Sequence, residues 1–261
     1  MRKRLHNSPR CGSKRLYRVA YLHLLAATLT AASSQSLPNP PTSSCHSSVA
    51  ESPALSKRVL QLLGSGQLVV VMRHANAPGV SAAHTGLPRD CINPDLVMSK
   101  DCEGPERPVS GEGECQLDQI RLALADIHAT FQEIRHSQYC RTEQTATALS
   151  GNSRVVADSE LNRNRARNYL TSTISRSDLG GNVLLVTHSE DIQRLISARQ
   201  NSTNTPEVSD AIAFVFDTSL PATSPEDRCL GYLRPADWEA LVGVQRSIGA
   251  WLARPASADH P

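Results

Sequence analysis

Two histidines and two arginines, spread over more than a hundred positions, are the residues of this chain that could do chemistry together. Arg73-His74 follows Leu68-Val69-Val70-Val71-Met72, and His188 follows Val183-Leu184-Leu185-Val186-Thr187. Arg141 lies in Ser137-Gln138-Tyr139-Cys140-Arg141-Thr142, where a short strand pattern passes into a helical one. Guanidinium groups present fixed, forked donors that match the oxygens of a phosphate. A neutral imidazole among them could attack phosphorus in line, with the cationic surroundings stabilising charge on the equatorial oxygens, and this chemistry needs no metal. A protonated imidazole has no lone pair for the attack, and cationic neighbours disfavour that extra proton. Taken singly, each residue has a blander explanation, since a basic pair closing a strand commonly just meets solvent.

The four groups can meet only if their strands lie side by side and end at one edge. Gly64-Ser65-Gly66 followed by an apolar run predicts a buried parallel strand at 68–72, and open α/β sheets bind ligands at the carboxyl ends of such strands. A short helical pattern (Leu55, Val59, Leu60, Leu62, Leu63) leads into it from about Ser56. Residues 77–108 have little periodicity and several Gly and Pro, as expected of a long functional loop. Ser110 caps the next helix, whose apolar face runs Leu117, Ile120, Leu124, Ile127, Phe131; Gly113 occupies the capping-box acid position, so the box is incomplete. Strands are expected at Glu133–Ser137, Arg154–Ala157, Val183–Thr187, Ala211–Phe216 and Leu230–Leu233. Between and after them, helices are expected at Thr142–Leu149, through an Arg-rich stretch to Ile174, at Glu190–Ala198 and at Trp238–Leu252. This alternation predicts a three-layer α/β/α domain with a mostly parallel central sheet.

With these motifs in this order, the chain resembles the histidine phosphatase superfamily, of phosphoglycerate mutase-like fold. The family's opening Arg-His-Gly stands here as Arg73-His74-Ala75, and its Leu-Ser-x-x-Gly as Val109-Ser110-Gly111-Glu112-Gly113. The Ser-x-x-x-Arg-Ala-x-Gln-Thr-Ala segment stands as Ser137 to Ala146, and the second histidine motif as Val186-Thr187-His188. The resemblance covers about residues 66–200, and the stretch from Cys102 to Ser110 and the Trp238 helix resemble exported bacterial members. It implies that His74 is the nucleophile that becomes phosphohistidine and that Arg73, Arg141 and His188 hold the phosphoryl oxygens. It also implies no cofactor.

Two departures from the family pattern stand out. Ala75 replaces a glycine and could crowd the turn after the nucleophile. The general acid is less defined: Glu160, in Asp158-Ser159-Glu160-Leu161, is the first candidate, with Asp158, Glu190 and Asp191 as substitutes. An acid typically contributes ~10²–10⁴-fold, so its absence would slow poor leaving groups without abolishing transfer. Asn76 and Arg107 are candidate substrate-binding residues at the mouth. A basic cluster (Arg163, Arg165, Arg167, Arg176) is either a solvated face or a lure for anionic substrates.

Charge and leader set the compartment. Residues 1–32 contain seven Lys and Arg and no acid, followed by an apolar run and small residues, which reads as a signal peptide. An uncleaved anchor is the alternative, and the only membrane contact expected. Without the leader the chain has 20 basic and 25 acidic residues, a net of −5, so nucleic-acid binding is not expected. Residues 33–56 read as a Ser/Pro-rich linker, 57–254 as the catalytic domain and 255–261 as a disordered tail. Export would put Cys45, Cys91, Cys102, Cys115, Cys140 and Cys229 in an oxidising compartment, with Cys91–Cys102 the pair easiest to imagine. The expectation is an exported phosphohydrolase of small-molecule or protein phosphomonoesters. The rivals are a non-catalytic phospho-ligand-binding module on the same fold and, ranked lower, a phosphoglycerate mutase.

Overall fold

A computed structural model describes residues 45–77, 109–197, 207–221 and 224–252. The chain divides into the units Met1–Thr42 and Ser43–Pro261, and the sheet and helices below belong to the second. The expectations for residues 1–32, 78–108 and 255–261, among them Arg107 and the Cys91–Cys102 pair, lie outside the described residues.

Six strands form one sheet: β1 (Leu68–Arg73), β2 (Glu133–His136), β3 (Arg154–Ala157), β4 (Val183–Thr187), β5 (Ala213–Asp217) and β6 (Cys229–Leu233). Their order is β3-β2-β4-β1-β5-β6, with β1, β2, β3 and β4 mutually parallel and β5 antiparallel to both β1 and β6. Seven helices are described: α1 (Pro53–Ser65), α2 (Gly111–Asp126), α3 (Cys140–Leu149), α4 (Ala166–Ser175), α5 (Ser189–Ile196), α6 (Pro225–Arg228) and α7 (Asp237–Leu252). Alternate residues of β1 divide between two cores. Leu68, Val70 and Met72 pack with α1, α2, α3 and α7, while Val69 and Val71 pack with α4 and α5. That is the three-layer α/β/α arrangement with a mostly parallel sheet, and β1 is apolar throughout because both its faces are covered.

Local signals explain most of the boundaries. Ser52 accepts a hydrogen bond from the Leu55 N–H, Pro53 opens α1, and Gly66 in a left-handed conformation closes it. Ser110 caps α2 by accepting from the Gly113 N–H. A side chain at Gly113 would bring a Cβ within 2.3 Å of the Asn76 carbonyl oxygen, so the missing acid of the capping box reflects close packing of α2 on the turn after β1. The α2 pattern does not extend to Phe131. The helix ends at Asp126 and His128 turns left-handed, although Phe131 still joins the same core. The Arg-rich helix begins only at Ala166, after a left-handed Asn164.

The expected linker over 33–56 requires correction from Cys45 onward. Cys45 is disulfide-bonded to Cys229, Val49 is fully buried, and the Ser47 carbonyl accepts from the Tyr232 N–H at 3.1 Å. Gly231 has φ of 140°, and a Cβ there would approach Ser47 O to 2.4 Å. Composition conceals this segment because backbone hydrogen bonds, a disulfide and one valine attach it, not an apolar run. The Arg58 guanidinium then ties α1 to the buried Asp217 of β5 at 2.6 Å.

Candidate active site

The register of β1 on β4 pairs Arg73 with Thr187, so the next residues, His74 and His188, emerge side by side at the carboxyl edge. The His74 N–H donates to the Thr187 carbonyl at 3.2 Å, and the two rings meet edge to face at 5.6 Å. β2 ends beside β4, and the turn Ser137–Tyr139 launches α3 so that Arg141 enters between the imidazoles. Its Nε donates to His74 Nε2 at 3.0 Å and its Nη2 to His188 Nδ1 at 3.2 Å. Only 3% of Arg141, 6% of His74 and 1% of His188 is exposed, so the contacts are made away from bulk water.

Each group is held from behind. His74 Nδ1 lies 2.8 Å from the Ala75 carbonyl, which fixes the proton on Nδ1 and leaves a lone pair on Nε2. The Ala75 N–H donates to Thr145 Oγ1 at 3.0 Å, and that hydroxyl donates to the Arg141 carbonyl at 2.7 Å. The Val109 N–H donates to Gln144 Oε1 at 2.7 Å. The Gln144-Thr145 pair of the motif thus locks α3 to the turn after His74 and to the start of α2. Ala75 is fully buried in the core, and the non-glycine left-handed residues among those described are His128, Asn164 and Ala211. Alanine in place of glycine therefore adds no backbone strain.

Arg73 points to the other side of β1 and is reached by the chain entering β5. Its Nη1 donates to the Val208 carbonyl at 2.6 Å and its Nη2 pairs with Asp210 Oδ1 at 2.9 Å, while its Nε is buried with no hydrogen-bond partner among the described residues. Asn76, expected at the mouth, has a structural assignment. Its Nδ2 donates to Asp210 Oδ2 at 2.8 Å, its Oδ1 accepts from Ser110 Oγ, and its N–H donates to Gln116 Oε1 at 3.0 Å. Asp210 escapes sequence reasoning, because a lone Asp before a strand carries no signal. Here it couples Arg73 to Asn76, and through it to α2.

The acid candidates fare differently from Arg141 and the two histidines. Glu160 is exposed on the 3-10 turn Ser159–Leu161. Asp158 accepts from the Glu160 N–H at 2.9 Å and pairs with Arg135 at 3.0 Å. Burial would raise the Glu190 pKa, but hydrogen bonds from its own N–H and from Arg163, and the Arg163 charge, hold it below the usual carboxylate range. Asp191 is fully buried and raised chiefly by that burial; it accepts from the Asn164 N–H at 3.1 Å, facing the first turn of α4. Arg163 is thereby engaged with Glu190, and Arg165 and Arg167 are exposed. Among the described residues no group of three or more His, Cys, Asp or Glu is placed to hold a metal ion.

His188 is a strongly perturbed base. Burial first, then the Arg141 charge, the titratable His74 ring beside it and the charges of Arg163 and Arg73, lower its pKa well below the ordinary histidine value. Its Nε2 lies 2.8 Å from Ser137 Oγ, and Tyr139 packs edge-on against it at 4.8 Å while stacking under the Arg141 guanidinium at 4.9 Å. His136, not singled out from the sequence, is a third buried imidazole, lowered chiefly by burial, with Nδ1 2.8 Å from the Ser137 carbonyl.

No family model and no curated protein matches the chain. Solved structures do. A protein called phosphohistidine phosphatase SixA from Agrobacterium tumefaciens aligns at 19% identity and TM-score 0.47, over 65% of this chain and 99% of the other. The protein histidine phosphatase SixA complexed with tungstate aligns at 18% identity and TM-score 0.42, over 65% and 98%. A protein called α-ribazole-5'-P phosphatase from Escherichia coli aligns at 14% identity and TM-score 0.40, over 58% and 90%.

Proposed function

We propose that this chain is a histidine phosphatase: a metal-independent phosphomonoester hydrolase working through a phosphohistidine on His74. The observation that carries the reading is the single guanidinium of Arg141 donating to two imidazoles that different strands deliver. Three basic side chains converging in this way form a receptor for a tetrahedral anion, with a lone pair on His74 Nε2 at its centre. When a phosphoryl group arrives, the Arg141 N–H groups move from the imidazole lone pairs onto its equatorial oxygens. His74 Nε2 then bonds to phosphorus as the bond to the leaving oxygen breaks, and water attacks the phosphohistidine in the second half. Arg73, held end-on by Asp210 and Val208, supplies the remaining positive charge.

Export is part of this proposal. The leader pattern motivates it, and the Cys45–Cys229 bridge, spanning 184 positions, supports it because such bonds persist in oxidising compartments. Substrates are small-molecule or protein phosphomonoesters. The binding-module alternative draws on one observation, the engagement of Asp158, Glu190 and Asp191 elsewhere. One experiment separates the two readings. Purified protein and His74→Ala are assayed on p-nitrophenyl phosphate, with acid-quenched and base-quenched samples tested for a base-stable, acid-labile phosphoprotein. Turnover and label in the wild type, both lost in the variant, are expected; a protein that binds vanadate without turnover would instead be the module.

A further inference from the structure

The protons around His188 can be assigned one by one. A guanidinium only donates, so the contact from Arg141 Nη2 makes His188 Nδ1 an acceptor. The ring proton therefore sits on Nε2 and is donated to Ser137 Oγ at 2.8 Å. Ser137 Oγ donates to Thr142 Oγ1 at 2.9 Å, and the Thr142 hydroxyl donates to the backbone carbonyls of Ser137 and Tyr139, at 2.6 and 2.7 Å. His188, Ser137 and Thr142 are all buried, so water does not interrupt this sequence. Every donor points away from the pocket, and the last acceptor has no proton to return. His188 thus turns a bare lone pair toward the phosphoryl site once Arg141 moves onto the substrate.

A fully ionised phosphate would oppose that lone pair with another. The groups around His188 do not remedy this with a proton of their own. β1 contributes Arg73 and His74, α3 and its lead-in contribute Arg141 and Tyr139, and the turn before α4 contributes Arg163. From α5, Glu190 is paired with Arg163 and Asp191 faces Asn164. The strongest charges acting on the ring are positive, which disfavours a second ring proton until an anionic phosphoryl group lies against it.

Resting on the phosphatase reading, we propose that the substrate enters as its phosphate monoanion, its P–OH donating to His188 Nδ1, and that His188 passes this proton to the leaving oxygen. The His74 Nε2–P bond forms while the P–O bond breaks with its electron pair going to the leaving oxygen. The proton that came with the substrate ends on that oxygen, and the product departs as a neutral alcohol. His74 keeps its Nδ1 proton on the Ala75 carbonyl throughout. Ser137 and Thr142 are positioning residues, since they set which nitrogen of His188 faces the phosphate.

The test is kcat/KM against pH for two phosphomonoesters whose second ionisations differ, such as p-nitrophenyl phosphate and an alkyl phosphate. The alkaline limb is expected to fall tenfold per pH unit above each substrate's own second pKa, and to move between substrates by the full difference. A limb at one pH for both, or no fall through the ionisation, overturns the proposal while leaving the phosphatase reading intact. Turnover of neither substrate by the wild type removes the phosphatase reading and this one with it. Long-range ¹⁵N correlation spectra of the resting enzyme supply an independent check. His188 should show a protonated Nε2 and a bare Nδ1, and in the vanadate complex, with Arg141 drawn onto the anion, that state should persist in the wild type and be lost in Ser137→Ala; the opposite tautomer in the wild type overturns the proposal.

Discussion

Replacing Arg141 by lysine separates the shape of its side chain from its charge. The guanidinium spans both imidazoles, with Nε at 3.0 Å from His74 and Nη2 at 3.2 Å from His188. In the proposed reaction those two N–H groups become two bonds to phosphoryl oxygens. A lysine ammonium keeps the unit charge but is a compact point donor and cannot reproduce the fork. One charge-assisted hydrogen bond is then lost, worth roughly 1.5–3 kcal/mol. At about 1.4 kcal/mol per decade, kcat/KM for p-nitrophenyl phosphate should fall about 10- to 150-fold. Arg141→Met removes the charge as well. At ~4 Å and an effective dielectric of about 20 a unit charge pair is worth about 4 kcal/mol, so methionine should fall at least another tenfold below lysine. Steady-state kinetics on both variants, with folded fractions matched by circular dichroism, make the comparison. A lysine variant within about threefold of wild type would refute the bridging role, and one as poor as methionine would refute the separation of fork from charge.

Asp210→Asn unhooks Arg73 from its carboxylate, a charge-assisted bond of roughly 1.5–3 kcal/mol. The expected result is at least about a tenfold loss of kcat/KM, with vanadate inhibition weakened more than phosphate inhibition, since alignment matters most for the trigonal geometry. Opening the Cys45–Cys229 bridge releases a loop spanning 184 positions, and chain entropy puts the loss of stability at about 5 kcal/mol, read from urea midpoints with and without reductant; an unchanged midpoint would mean that the 45–52 segment contributes nothing to the fold. His136 and His188 are both held below the ordinary histidine value, mainly by burial. The unfolded chain takes up their protons near pH 6.5 and the folded chain does not. Stability should therefore be complete above about pH 6.5 and decline as pH falls below it, by up to ~1.4 kcal/mol per unit for each group. A His136→Gln variant should show a shallower decline in denaturant midpoint over that range.

The strands and the histidines are legible in the sequence because local rules govern them. β1 and β4 are buried on both faces, so they appear as unbroken apolar runs, and His74 and His188 stand where those runs stop. β4 thus falls at its expected ends, Val183–Thr187, and β3, only half-buried, is located at Arg154–Ala157 by its β-branched Val155-Val156 between turn residues. Arg141 needs only the strand-to-helix junction. Legibility fails wherever the partner is distant in the chain. Residues 45–52 look like linker because their attachments are a disulfide to Cys229 and a backbone bond to Tyr232. Asn76 looks like a mouth residue, and its engagement by Asp210, Ser110 and Gln116 depends on three segments meeting. The four acid candidates are indistinguishable as letters. Only packing separates exposed Glu160 from Asp158 on Arg135, Glu190 on Arg163 and Asp191 facing the first turn of α4. Hydrophobic period and chain punctuation are properties of neighbouring residues and can be read along a line. Which nitrogen of His188 carries its proton, and which carboxylate holds Arg73, are set by atoms a few ångströms away in space and by the low-dielectric interior that makes those contacts strong.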